Sequence, residues 1–268
     1  MSNGDFDEPL PGAAERHDAR EDQARLVLEE FIEVHRDSVF FSRQLEVRYE
    51  DEWYHWITNR ALRELVGRGL IRTEVSELKT GGSINLMWHK SHRYYRRDAK
   101  AVVKLVEEYA DPNIGGALGL QGEALVLEGF ARSQFVMRGR DARSHEGRKW
   151  IQTDHDLDFV FERDGRVYGV EVKNTLRYID YREFRTKIQM CRELGITPVF
   201  AVRMLPKSWI HELNEAGGFA LILKHQLYPW AHRDLARRVK SELGLPVDAP
   251  RSLQEGTMAR FLRWHGNM

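Results

Sequence analysis

From Gln23 to Arg36 the apolar side chains return every three or four positions. Ala24, Val27, Leu28, Phe31 and Val34 form one stripe with Ile32 at its edge, the period of an amphipathic helix. A short helix is expected at 41–47. Another covers 52–68, where Ile57, Ala61, Leu62 and Leu65 make the apolar face, Trp53 and Trp56 sit near its edge, and Gly69 ends it. Alternation then takes over in Leu70–Val75 and again in Ile84–Trp88, with Thr80-Gly81-Gly82-Ser83 as the turn. A helix follows at 94–110, and Pro112 to Gly116 reads as a domain boundary. Beyond it the pattern predicts a helix at 119–128, a strand at 134–138 and a polar stretch at 139–149 with no assignable element. Strands at 157–162 and 167–172, a helix at about 180–194 and a strand at 198–203 come next. A helix at 207–215, a strand at 219–224 and two closing helices within 231–265 complete the chain.

The pair of strands around Asp164-Gly165 carries the most chemistry. Asp-Gly between two alternating runs predicts a two-residue type I′ turn, because both central residues need positive φ. In that register Arg163 faces Arg166, Asp158 faces Glu171, and Asp156 faces Lys173. Period-two alternation places Asp158, Glu171 and Lys173 on one face, and Phe159, Phe161, Tyr168, Val170 and Val172 on the other. Acid opposite acid destabilises a sheet unless something positive lies between, and a divalent cation with oxygen ligands, Mg²⁺ by preference, meets that need.

Asp158, then Glu171-Val172-Lys173 after a short hairpin, resembles the PD-(D/E)XK nuclease superfamily, which includes many restriction enzymes and archaeal Holliday-junction resolvases. The resemblance covers about residues 115–225. It implies a restriction-endonuclease-like mixed β-sheet flanked by helices, an α/β fold. It implies that Asp158, Glu171 and the Val172 carbonyl hold Mg²⁺, with Mn²⁺ as a substitute, and that Lys173 orients or activates a water. An early core helix supplies a further acid in many members. Gly119-x-x-Gly122-Glu123 fits that pattern loosely and makes Glu123 a catalytic and metal-binding candidate, with Glu128 as the competing one. Lys187 and Gln189 fall where the family often has a supporting polar residue, though an exposed helical face explains them equally. Asp98-Ala99-Lys100 also spells the short motif, but in a helical stretch that reads as a solvated face.

The order helix, helix, helix and two-stranded ribbon is that of a winged helix-turn-helix, and Leu62 to Ile71 resembles that family's third helix entering its wing. The 52–68 helix is then the recognition helix, with Asn59, Arg60 and Arg63 opposite its apolar face, and Lys79 near the wing tip. Arg93, Arg96 and Arg97 offer further charge for phosphates, or form the solvated face of the next helix. Formal net charge is zero, but its distribution is uneven: residues 1–52 hold 6 Lys/Arg against 15 Asp/Glu, and residues 60–104 hold 11 against 4. Such asymmetry suggests a basic binding surface beside an acidic lead segment.

Three segments are therefore expected: an acidic disordered tail at 1–22, a winged-helix domain at 23–112 and a nuclease domain at 113–268. Cys191 is the sole cysteine, so an internal disulfide and a multi-cysteine zinc site are both excluded. P-loop, dinucleotide-glycine and Gly-x-Ser-x-Gly patterns are missing. No apolar run spans a membrane, and a cytoplasmic location is expected. The resulting expectation is a Mg²⁺-dependent endonuclease acting on double-stranded DNA in restriction or repair, and working as a homodimer. The alternative is a DNA-binding regulator or docking subunit with an inactive nuclease-like domain.

Overall fold

The computed structural model describes residues 19–268, and they form a mixed α/β protein of two compact units. The first unit runs to Ile114 and also takes Arg238–Leu245; the second holds Gly115–Arg237 and Pro246–Met268. The expected boundary at 112/113 thus lies two residues early, and the expected second domain loses a segment to the first. That segment belongs there for stated reasons: Arg238 pairs with Glu108 at 2.6 Å, and the buried Gln44 amide donates to the Leu243 carbonyl at 3.0 Å. Most of the expected acidic tail lies outside the described residues, and residues 19–22 are already helical.

In the first unit the elements are α1 (Ala19–Val34), β1 (Val39–Phe41), α2 (Ser42–Arg48), α3 (His55–Gly67), β2 (Ile71–Glu77), β3 (Ser83–His89) and α4 (Tyr95–Tyr109). The three strands form an antiparallel sheet in the order β1-β3-β2. Ala24, Leu28, Phe31 and Ile32 of α1 pack with Ile57, Ala61, Leu62 and Leu65 of α3 around Trp53 and Leu45. Val34, expected on the stripe, is exposed, and Ile32 takes the inward place instead. Trp53 and Trp88 are buried, whereas Trp56 stands half in solvent, stacked on Tyr54 at 4.2 Å.

In the second unit α5 (Pro112–Arg132) is 21 residues long. It begins inside the stretch read as a boundary, because proline at a first helical position gives up an N–H that would be unpaired anyway. There follow β4 (Val136–Ala142), β5 (Ser144–His145), β6 (Arg148–Lys149), β7 (Leu157–Arg163), β8 (Arg166–Lys173), α6 (Tyr181–Leu194), β9 (Thr197–Val202), α7 (Lys207–Glu215), β10 (Phe219–Ile222) and β11 (Gln226–Leu227). Helix α8 (Arg233–Leu243), which belongs to the first unit from Arg238 on, precedes β12 (Val247–Asp248) and α9 (Glu255–Gly266) of the second. The central sheet has the order β10-β9-β8-β7-β4; β7 is antiparallel to both β4 and β8, while β9 and β10 continue parallel to β8.

Each face of this sheet is covered. Phe159, Phe161, Tyr168, Val170 and Val172 face Val126 and Phe130 of α5 and Met258 and Phe261 of α9, as alternation requires. The opposite face meets α6 through Val160, Met190, Cys191 and Leu194, and through Phe184, Ile188 and Phe200. Gly169 permits that approach, since a Cβ there would lie 2.8 Å from the Cys191 sulfur and 2.8 Å from Leu157 Cδ1. The stretch 139–149, unassigned in sequence, holds the second half of β4 and then a small β5–β6 hairpin anchored by buried Trp150, whose backbone N–H donates to the Arg143 carbonyl at 2.8 Å.

Candidate active site

Asp164 (φ 52°) and Gly165 (φ 72°) both adopt the left-handed conformation that a type I′ turn needs. With Arg163 opposite Arg166 and Phe159 opposite Val170, the next step in register sets Asp158 against Glu171. There the ladder stops. Instead of a backbone carbonyl, the Asp158 carboxylate accepts the Val172 N–H, at 2.6 Å. Strand β7 therefore parts from β8 where the acids sit, with a side chain substituting for a ladder bond.

Helix α6 closes the other side. Asp180 caps it by accepting from the N–H groups of Arg182 (2.8 Å) and Glu183 (3.0 Å), and Gly195 (φ 71°) ends it. Glu183, Lys187 and Cys191 are spaced by four, so they share a stripe. They meet Lys173, Glu171 and Gly169 respectively, which are spaced by two on β8. The match is metric: four helical residues rise about 6 Å and two strand residues about 6.6 Å.

Glu171 is 2% exposed, and each of its oxygens is taken by one ammonium. Lys173 lies 3.0 Å from Oε1 and also 2.9 Å from Glu183. Lys187 donates to Oε2 at 2.5 Å and to the backbone carbonyl of Asp156. Burial, reinforced by the Glu171 charge, pushes the Asp158 carboxyl up to about 7, against the opposing pull of the Val172 N–H and the two lysines. Burial alone would lower the Lys173 ammonium, but Glu171 and Glu183 outweigh it and hold the group above the usual lysine range. Burial likewise raises the Cys191 thiol far out of reach of ionisation, so this cysteine is a packing residue.

Of the residues singled out in the sequence, Asp158, Glu171, Val172 and Lys173 are brought together. Glu123 is not. It binds Arg140 at 2.8 Å, and Arg140 lies over the Phe159 ring on the α5 face of the sheet, opposite the α6 face that holds Glu171. Glu128 pairs with Arg132 at the end of α5. Among the described residues no group of three or more His, Cys, Asp or Glu side chains is disposed to hold a metal ion. Sequence reasoning gave no role to Glu183 and left Lys187 beside an equally good surface reading; the four-residue spacing Glu183–Lys187–Cys191 was the signal available.

The candidate nucleic-acid contacts of the first unit fare unevenly. Arg60 pairs with Glu21 at 2.5 Å, inside a ladder that continues with Arg25–Glu64 at 3.1 Å and Arg68–Glu29 at 3.1 Å. Two of the eleven basic residues of 60–104, Arg60 and Arg68, are thus answered by acids of α1. Asn59 is half-buried and Arg63 is exposed. Lys79 stands out at the β2–β3 turn, its backbone N–H held by Glu107 at 2.9 Å. Arg93 and Arg96 are exposed, Arg96 near the Tyr95 ring, and Arg97 pairs with Asp98 at 3.1 Å. No helix among the described residues is long and apolar enough to cross a membrane. No protein family, curated protein or solved structure matches the chain.

Proposed function

We propose that the chain is a metal-dependent DNA endonuclease of the PD-(D/E)XK type with a winged-helix DNA-binding unit. The observation that carries the reading is the facing pair Asp158 and Glu171 with Lys173 beside them, buried where a ladder ends. The order α5, three antiparallel strands, α6 and a parallel β9 supports a restriction-endonuclease-like core. The order α1, β1, α2, α3, β2, β3 supports a winged helix.

The donor set fits Mg²⁺: two carboxylates and the Val172 carbonyl are hard oxygens, and an Asp158 carboxyl raised by burial and then by the Glu171 charge gains most from a cation beside it. Asp158, Glu171 and Val172 would hold the ion, which supplies charge stabilisation at the scissile phosphate and a more acidic water. Glu171 keeps Lys173 on the rim of the site. There its ammonium orients a water and offsets charge growing on the phosphate oxygens. Glu183 holds Lys173 charged, so its role is electrostatic and directional rather than that of a base. The first unit would position duplex DNA through α3, the β2–β3 turn and the arginines before α4.

A second reading, a DNA-binding protein whose nuclease-like unit is inactive, has one observation in its favour: Glu123 lies with Arg140 and completes no third ligand. Incubating supercoiled plasmid and a four-way junction with the protein, in Mg²⁺ and in EDTA, separates the two. Metal-dependent nicking lost in Asp158→Asn supports the enzyme. Binding without any nicking supports the regulator.

A further inference from the structure

Lys187 is a buried charge with no part in the mechanism above. It is 4% exposed, and an ammonium so enclosed is tolerated only with close partners. Its partners are Glu171 Oε2 at 2.5 Å and the Asp156 carbonyl. One belongs to β8 and the other to the segment entering β7, the two pieces of chain that lose their ladder at Phe159/Val170. Lys187 therefore ties the carriers of both acids together at the point where the sheet ceases to do so.

The two lysines on Glu171 differ in their freedom. Lys173 is one-third exposed and has Glu183 to receive it, whereas Lys187 is enclosed between α6 and β8 with a fixed backbone oxygen as second partner. An ion approaching Glu171 can displace Lys173 from Oε1, but Lys187 has nowhere to go. We infer that Lys187 is a permanent internal cation that reserves Oε2 of Glu171, leaves only Oε1 for a divalent ion, and so positions the ligands for turnover at the expense of metal affinity. This rests on the metal-site reading given above. Like charges repel strongly at such distances in a poorly hydrated site, and the reserved oxygen limits Glu171 to one-point ligation.

The experiment is Mn²⁺ binding followed by electron paramagnetic resonance on the full chain, alongside plasmid nicking at saturating Mn²⁺. Lys187→Met should bind Mn²⁺ at least about tenfold more tightly than wild type, with a changed zero-field splitting as Oε2 joins the ion, and should nick at least about tenfold more slowly at saturation. Damaged folding weakens both together, so tighter binding with slower turnover is specific to positioning. Lys187→Gln, which keeps a donor for the Asp156 carbonyl without the charge, should move both readouts the same way and serves if the methionine variant does not fold. An Asp158-dependent Mn²⁺ site with unchanged or weaker affinity in the Lys187 variants overturns the role of Lys187 alone. If wild type has no Mn²⁺ site that Asp158→Asn removes, the metal reading falls and takes this inference with it.

Discussion

The β7–β8 hairpin and helix α3 both carry charged side chains at regular spacing, and their charges are settled in opposite ways. On the hairpin, Asp158 and Glu171 face each other in a buried place, and burial and the Glu171 charge together hold the Asp158 carboxyl up against the pull of Lys187 and Lys173. On α3 and its C-cap, Arg60, Glu64 and Arg68 pair with Glu21, Arg25 and Glu29 of α1. Exposed pairs of that kind contribute little each, roughly 0–1 kcal/mol, and mainly set how two helices lie together. Electrostatic stress left unrelieved is the stronger pointer to chemistry, because a stable fold has no reason to keep it.

The sharpest break of this contrast is Asp158→Asn. It should abolish metal-dependent nicking, whereas Asp156→Asn should only reduce it, since Asp156 serves Lys187 through its backbone carbonyl. Rates of the two variants in saturating Mg²⁺ decide, and the reverse ranking would remove Asp158 from the site. Lys173→Ala should cost about two to four decades in rate with DNA affinity within a few-fold, as for other transition-state electrostatic groups; single-turnover cleavage measures it.

A packing change on the same face comes next. Gly169→Ala must displace Cys191, Leu157 or Ile196, and should destabilise the fold by about 2 kcal/mol, seen as an earlier thermal transition. The raised Asp158 carboxyl then gives a pH signature. Its folded value of about 7 lies above the ordinary 3.8, so the native state holds its proton more tightly and loses stability as pH climbs from about 4 through 7. Asp158→Asn removes that loss. Relative to wild type, the metal-free variant should gain nothing below pH 4 and on the order of 2 kcal/mol above pH 7 in denaturant titrations. The smallest effect belongs to the first unit. Alanine at Arg93 and Arg96 should weaken duplex binding about three- to tenfold and flatten the salt slope by about one per lost phosphate contact. Arg60→Ala should change it by less than about twofold, because Glu21 already holds that side chain.

The hairpin was legible because two local rules fix it: Asp-Gly selects the turn, and period two then assigns every face. Glu123 was misplaced because a helix residue's partner depends on which side of the sheet the helix covers, and no local pattern encodes that. The α1–α3 ladder escaped for a related reason, since exposed charges find partners 39 residues away in sequence. Trp56, which the pattern puts near the edge of its helix, lies flat against Tyr54 and stays accessible.

The Tyr168 hydroxyl contacts His265 Nδ1 at 2.5 Å, and His265 Nε2 meets Asp164 at 3.0 Å, so α9 grips the turn that sets the acids' register. These partners are 97 and 101 residues apart along the chain. A hairpin closes within microseconds, but contacts of such separation form late. Until α9 docks, the part of the Phe159, Phe161, Tyr168 and Val170 face that α5 leaves uncovered is an apolar strand surface of the kind that seeds intermolecular β-pairing. Refolding should therefore show an early hairpin, a concentration-dependent loss to aggregates, and a slow phase that ends when Phe261 and His265 reach the sheet.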